Sequence, residues 1–283
     1  MQQDLLGRVV LITGANTGIG YITARELARR GATIFIACRS ATLGAAAVER
    51  LQSEVPGAKP ELLSLDLSDF ASIRACAETF VATGSPLHVL INNAGVGGSH
   101  GVTASGFELA FGVNHIGHAL LTRLLLPQLK RSAPSRIVTV SSIVHKGATG
   151  IDFDAVRMRT KTLTGVYEYG VSKLANILFS RVLSRSLEGT GVTTYALHPG
   201  VVKTEIWRDV PLALQPGLML LKLGMITPEQ GALTTLHCAA SPEAAAESGL
   251  YYVRSKPAKP SRHGRNEALA QELWARTEAW ISS

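Results

Sequence analysis

The chain has 283 residues, 46% of them hydrophobic, and a formal net charge of +7. That length and apolar content suit one large α/β domain with a sizeable core. The basic residues are scattered, which argues against a nucleic-acid partner; the densest run, Arg254 to Arg265, is rich in Pro, Ser and Gly and reads as a solvated tail with a secondary attraction for anionic head groups.

In chain order, Met1 to Gly7 leads directly into an apolar strand at Val9–Thr13, too short for a signal-peptide core or a membrane span. Further strands are expected at Thr33–Ala37, Glu61–Leu65, Val89–Asn92, Arg136–Ser141, Thr193–His198 and near Gly249–Val253. Helical segments between them are expected at Ile19–Arg30, Leu43–Glu54, Phe70–Thr83, Phe107–Leu129, Tyr167–Leu187 and Pro228–Ala239. The near-continuous apolar character of the strands suits burial on both faces of a parallel sheet. The repeated βα pattern predicts a single Rossmann-type doubly wound α/β domain over residues 1–283, with a seven-stranded, mostly parallel sheet flanked by helices. Two inserts interrupt it, Val144–Val166 and Glu205–Thr227. The most apolar late segment, Leu212–Ile226, is broken by Pro216, Gly217, Lys222 and Gly224. The expectation is a soluble, cytoplasmic protein without a transmembrane segment, peripheral membrane contact being left open. Cys38, Cys76 and Cys238 lie far apart without metal-ligand spacing, so they read as buried free thiols and no metal is expected.

The chemistry-bearing residues fall at the ends of strands. Thr13-Gly14-Ala15-Asn16-Thr17-Gly18-Ile19-Gly20 follows the first strand and opens the first helix, the context in which glycines let a backbone approach a pyrophosphate at a helix N-terminus. At the end of the second strand, where a carboxylate would accept from an NAD ribose, stand Cys38 and Arg39; a planar cation there favours the 2′-phosphate of NADP. Asp66, before Leu67 and Ser68, is placed either to bond an adenine amino group or to cap the next helix. Asn92-Asn93-Ala94-Gly95 is a ligand loop or a turn. Ser141-Ser142 ends the fifth strand, and His198-Pro199-Gly200-Val201-Val202-Lys203-Thr204 follows the sixth; His198 is expected to pack rather than to act as a base. Tyr169 and Lys173, four residues apart, share one helix face. A neighbouring ammonium stabilises a phenolate, so this pair is a candidate general acid/base for reducing a carbonyl or oxidising an alcohol. Tyr167 is excluded from that role because the residue four positions on is Val171, and it is assigned instead to the substrate cleft.

TGANTGIG, NNAG, the serine pair, YGVSK and HPGVVKT, in this order, resemble the short-chain dehydrogenase/reductase family over nearly the whole chain. Within it, Asn114-His115-Ile116-Gly117-His118, Val140-Ser141-Ser142-Ile143-Val144-His145, Ser172-Lys173-Leu174-Ala175-Asn176 and Thr227-Pro228-Glu229-Gln230-Gly231-Ala232 look most like the retinol dehydrogenase branch. The resemblance implies that Tyr169 is the acid/base, that Lys173 lowers its pKa and binds the nicotinamide ribose, that Ser142 orients the substrate oxygen, and that Asn114 supports a water-linked proton relay. It implies cofactor contacts at Gly14, Asn16, Thr17, Gly18, Ile19, Gly20, Arg39, Asp66, Leu67, Asn93, Ala94, Gly95, Pro199, Gly200, Val202 and Thr204, with NADP(H) preferred over NAD(H).

The expected activity is interconversion of a lipophilic ketone or aldehyde and its alcohol. Two alternatives share the fold: a non-catalytic NADP-binding sensor or scaffold, and a carbon–carbon double-bond reductase like the protochlorophyllide reductases. Residues 205–227 include Ile206, Trp207, Leu212, Leu218 and Met219 and suit an apolar substrate lid with Trp207 against the substrate, or a buried contact helix. Phe107–Leu129 and Tyr167–Leu187 are the helices through which a homodimer or homotetramer would form, as is common in the family.

Overall fold

Residues 3–202 and 225–282 are described by a computed structural model. The first strand, β1 (Val9–Thr13), shows why the strands are apolar throughout. All five of its residues are buried: Val9 and Leu11 enter one core and Val10 and Ile12 the other, as the two-residue repeat of a strand requires. Around it lie β2 (Thr33–Cys38), β3 (Glu61–Ser64), β4 (Val89–Asn92), β5 (Ser135–Val140), β6 (Val192–His198), β7 (Leu250–Val253) and β8 (Lys256–Ala258), in the spatial order β3-β2-β1-β4-β5-β6-β7-β8. Every pairing from β3 to β7 is parallel, and β8 joins β7 antiparallel. The order reverses beside β1, between β2 and β4, which is where open α/β sheets form their ligand crevice.

Helices α1 (Gly18–Arg29), α2 (Ala41–Glu54) and α6 (Pro228–Ala240) cover one face. Helices α3 (Phe70–Ala82), α4 (Leu109–Arg131), α5 (Val166–Ser186) and α7 (Glu267–Ser282) cover the other. Their starts follow local chemistry. Ser40 accepts from the Leu43 N–H at α2, and Thr227 with Gln230 forms a reciprocal capping box at α6, where Pro228 occupies the first turn. The cap of α3 is Asp69, which accepts from the Ala71 N–H. Asp66, for which capping was one of two readings, instead folds its carboxylate onto Ser68 N and Oγ at 2.9 and 2.7 Å.

Two further expectations are corrected. The sheet has an eighth strand, because the chain reverses at Arg254 and Ser255, whose φ values are 52° and 58°. Left-handed pairs of this kind usually announce themselves as Asn-Gly or Asp-Gly, so the hairpin had no sequence signal. Pro257 within β8 is tolerated because β8 is the sheet edge. The stretch read as a solvated tail therefore holds β8 and a 3₁₀ turn at His263–Arg265, and it leads into α7. Ala270, Leu273, Thr277 and Ile281 form the buried stripe of α7, a helical spacing that was present in the sequence. Among the described residues one helix, α4, is long and apolar enough to cross a membrane; 78% of its apolar window is buried inside the fold, so core packing accounts for its composition. Most of the second insert, including Trp207, and also Lys203 and Thr204, lies outside the described residues. At its described end, Ile226 pairs with Val202 in a parallel bridge.

The buried face of α7 gives a direct test. Leu273 is fully buried, so Leu273→Ala should cost about 2–5 kcal/mol in urea unfolding. A change below about 0.5 kcal/mol would mean that α7 is a solvated appendage.

Candidate active site

At the carboxyl end of β1 the chain turns so tightly that only glycine fits. Gly14 (φ 66°) lies where a Cβ would come 2.9 Å from the Ala94 Cα, and a Cβ on Gly20 would meet Asn93 Nδ2 and the Gly14 oxygen at 2.5 Å. Gly18 also has positive φ, at 57°. Thr17, at the cap position of α1, makes no side-chain cap bond, which leaves the N-terminal amides of α1 for an anion. This narrow cradle and uncapped helix start fit a dinucleotide pyrophosphate at Gly14–Gly20. Arg39 is exposed after β2, with Cys38 buried behind it and no carboxylate in the adjoining Ser40 or Ala41. Leu67 is buried, its carbonyl pressed against Gly117 of α4.

Thr13 was not singled out in the sequence, yet it organises this edge. Its Oγ1 accepts from the Asn93 and Ala94 N–H groups at 2.9 and 3.0 Å and lies 2.8 Å from His118 Nε2. His118 Nδ1 is 3.0 Å from the Asn114 carbonyl. A carbonyl can only accept, so the neutral ring has its proton on Nδ1 and the Thr13 hydroxyl donates to Nε2. Asn93 spends its side-chain amide on the Thr13 carbonyl at 2.8 Å, so its contribution is to brace the glycine turn.

Asn114 lies in a wide π turn, Gly112–Ile116, within α4, a distortion that recurs at functional sites. Its side chain holds the Asn93-Ala94-Gly95 loop through Val96, accepting from Val96 N at 2.8 Å and donating to Val96 O at 2.9 Å. It also donates to Ser172 Oγ at 2.9 Å, and Ser172 in turn donates to the Tyr169 carbonyl at 2.7 Å. A Cβ on Gly95 would sit 3.2 Å from Asn114 Oδ1 and 3.4 Å from Lys173 Nζ. Gly95 thus lets the loop, Asn114 and Lys173 converge.

Tyr169 and Lys173 both lie in the buried stretch of α5. The Tyr169 hydroxyl bonds to the Ser142 side chain, its ring packs on Gly97, and Lys173 Nζ stands 5.5 Å from the ring centroid. Lys173 donates to the Val140 carbonyl at 2.9 Å, and Ser141 Oγ donates to the Lys173 carbonyl at 2.7 Å, fastening the end of β5 to α5. Ser142 follows at the strand-to-turn corner. The structure therefore gathers Asn114, Ser142, Tyr169 and Lys173 into one cluster. It does not bring Tyr167 into it: that ring is exposed and its hydroxyl reaches Thr149 at 3.2 Å. Pro199, Gly200 and Val202 follow β6 at the same sheet edge; Gly200 has φ 102°, and a Cβ there would strike Ile226 at 2.4 Å. His198 packs, as expected, and burial holds its pKa down to about 4.

Burial sets the electrostatics of this pair in the folded chain. Burial pushes the Tyr169 phenol up to about 12, and the Ser142 hydrogen bond offsets only part of that shift. Burial also lowers Lys173 to about 7. Removing water from the ammonium favours its neutral form, which weakens the pull that Lys173 can exert on the phenol.

Residues 8–214 match the family model for short chain dehydrogenase. The chain is 47% identical to retinol dehydrogenase 12 of Mus musculus over 274 residues, covering 95% of this chain and 84% of that protein. It is 46% identical to retinol dehydrogenase 11 of Homo sapiens over 272 residues, covering 96% and 85%. Among solved structures, an uncharacterised protein from Mycobacterium paratuberculosis aligns with TM-score 0.79 and 34% identity over 99% of this chain and 95% of that one. The NADP complex of RhlG from Pseudomonas aeruginosa aligns with TM-score 0.69 and 28% identity over 87% and 94%. With the doubly wound sheet, the glycine turn and the Ser142–Tyr169–Lys173 cluster in place, these matches show that the chain belongs to the short-chain dehydrogenase/reductase family, in its retinol dehydrogenase-like branch.

Proposed function

We propose that this protein is an NADP(H)-dependent oxidoreductase that interconverts a lipophilic ketone or aldehyde, of retinoid type, and its alcohol. The observation that carries the reading is the hydrogen-bonded pair of hydroxyls, Ser142 and Tyr169, beside the buried Lys173. Residues Gly14 to Gly20 would hold the pyrophosphate, Arg39 the 2′-phosphate, and Asp66 and Leu67 the adenine end. Asn93, Ala94, Gly95, Pro199, Gly200, Val202 and Thr204 would border the nicotinamide half, with Tyr169 and Lys173 at its ribose. When bound, the nicotinamide supplies or accepts the hydride.

The chain's own groups orient the substrate and move the proton. A carbonyl oxygen accepted between Ser142 and Tyr169 takes the Tyr169 proton in reduction and returns it in oxidation. Lys173 and Asn114 would resupply that proton, with burial lowering the Lys173 pKa to about 7. Support for a lipophilic substrate comes from Val102, Met158 and Leu163, exposed apolar residues on two segments joined by the Gly101 N to Thr160 Oγ1 bond. The apolar composition of residues 205–227 and the names of the closely similar retinol dehydrogenases point the same way.

Three outcomes are expected. Tyr169→Phe should lower turnover of retinal or an aryl ketone by about 10²–10⁴-fold while NADPH still binds in a fluorescence titration; near-normal turnover would defeat the mechanism. Arg39→Asp should reduce the ratio of kcat/KM for NADPH over NADH by at least about tenfold, the scale of one lost charge-assisted hydrogen bond, and an unchanged ratio would remove Arg39 from the cofactor assignment. The third is a stability effect. Folding lowers the Lys173 pKa from 10.5 to about 7, so between those values the unfolded chain binds the extra proton and this residue's contribution to stability rises with pH. Lys173→Met, unfolded in urea without nucleotide, should therefore gain most over the parent below pH 7, and that gain should shrink as the pH climbs towards 10.5. A pH-independent difference would contradict the burial argument.

A further inference from the structure

His145 lies three residues beyond Ser142, in the 3₁₀ turn Ile143–Gly147. It is fully buried, and its ring meets Tyr251 edge-on at 5.2 Å. Nδ1 is 2.6 Å from the Ser142 carbonyl oxygen, and the His145 backbone N–H reaches the same oxygen at 3.2 Å. On the far side of the ring, Nε2 is 3.0 Å from the Ser261 backbone nitrogen. An amide N–H only donates and a carbonyl only accepts, so Nε2 is bare and Nδ1 holds the proton. The imidazole is thus a two-ended tie between the Ser142 carbonyl and the segment after β8. That segment is anchored in turn, with Ser261 Oγ accepting from Gly264 N at 3.1 Å and Arg181 of α5 donating to the Gly264 carbonyl at 3.0 Å.

The tie matters because of where Ser142 stands. The β5 ladder ends one residue earlier, with Ser141 N donating to the Leu197 carbonyl at 2.7 Å. Ser142 is extended (φ −155°, ψ 158°), and the chain then turns sharply. At that corner both bonds to the Ser142 carbonyl come from His145. A rotation of this peptide would move Oγ relative to the Tyr169 hydroxyl, and misplacement of about 1 Å in a reacting constellation costs about 10²-fold.

We propose that His145 is a positioning residue: through the Ser142 carbonyl it sets the direction of the Ser142 hydroxyl. This rests on the reading of Ser142 as the group that orients the substrate oxygen. The two ends of the imidazole can be separated by substitution. His145→Asn keeps a donor near the Nδ1 position and loses the acceptor for Ser261; His145→Gln keeps an acceptor near Nε2 and loses the donor to Ser142. With retinal and NADPH, kcat should fall about 10- to 100-fold in His145→Gln and stay within about threefold of the parent in His145→Asn. The dissociation constant for NADPH, read by fluorescence, should be unchanged in both. Equal losses of kcat in the two variants, or losses that follow their melting temperatures, would overturn the assignment. A second readout needs no turnover: the long-range ¹H–¹⁵N spectrum of the parent should show one histidine, absent from the spectrum of His145→Asn, in the Nδ1–H form. An Nε2–H form there refutes the tie. A parent that reduces no carbonyl probe, yet shows the Nδ1–H form, defeats the functional reading and leaves the tie standing.

Discussion

Lys173 is 2% exposed and Tyr169 5% exposed, side by side on one helix. Burying an ammonium group and a phenol together is costly unless each finds a polar partner, and that requirement shapes every element around them. The Val140 carbonyl at the last residue of β5 takes the lysine, and Ser142 takes the tyrosine. Both partners come from the same strand end, so β5 and α5 must meet in one register. The Ser141 hydroxyl enforces it by donating to the Lys173 carbonyl. A site that moves protons thus depends on a strand terminus placed to within hydrogen-bond tolerance.

The same economy extends to the rest of the edge. His115, His118 and His145 are all buried with pKa values held down by burial, His115 to about 3 and His118 to about 4. Each has a specific task. His118 joins Thr13 of β1 to the Asn114 carbonyl, His145 joins Ser142 to Ser261, and His115 reaches Thr277 of α7 at 3.1 Å. A neutral imidazole is suited to this work because it offers one donor and one acceptor on opposite sides of a rigid ring. It can span two backbone elements without placing a charge beside the lysine.

The sheet and the glycine turn were legible because their physics is local. β1 and β4 fall where the apolar runs ended, and Gly14 and Gly20 announce a close approach that no other residue permits. Asn114, Ser142, Tyr169 and Lys173 were legible by resemblance, and their convergence needed the fold. What escaped was held by long-range partners. Thr13 is one threonine among many until Asn93, Ala94 and His118 are brought to it. Asp66 and Asp69 are equally good caps by type, and only the backbone decides between them. The β7–β8 hairpin turns on two residues that seldom adopt left-handed φ, and the lowered pKa of Lys173 reflects a depth of burial that no spacing reveals.

The last helix bears on how copies of this chain can meet. Helices α4 and α5 are the ones expected to pair across a two-fold axis, and α7 lies on both. Trp274 stacks on Phe179 of α5 at 5.1 Å, Trp280 meets Phe111 of α4, Arg123 faces Glu278 at 3.6 Å, and Arg185 pairs with Glu267. The exposed ion pairs add little by themselves, but Leu273 and Ile281 bury apolar side chains that a detached α7 would return to water, at roughly 1.5–3 kcal/mol for each. Removing α7 would also take Thr277 away from His115, next to Asn114. A two-fold contact through this side of the molecule must therefore be built around α7 in place, because displacing it would expose the core and loosen the turn that holds the Asn93-Ala94-Gly95 loop against Lys173.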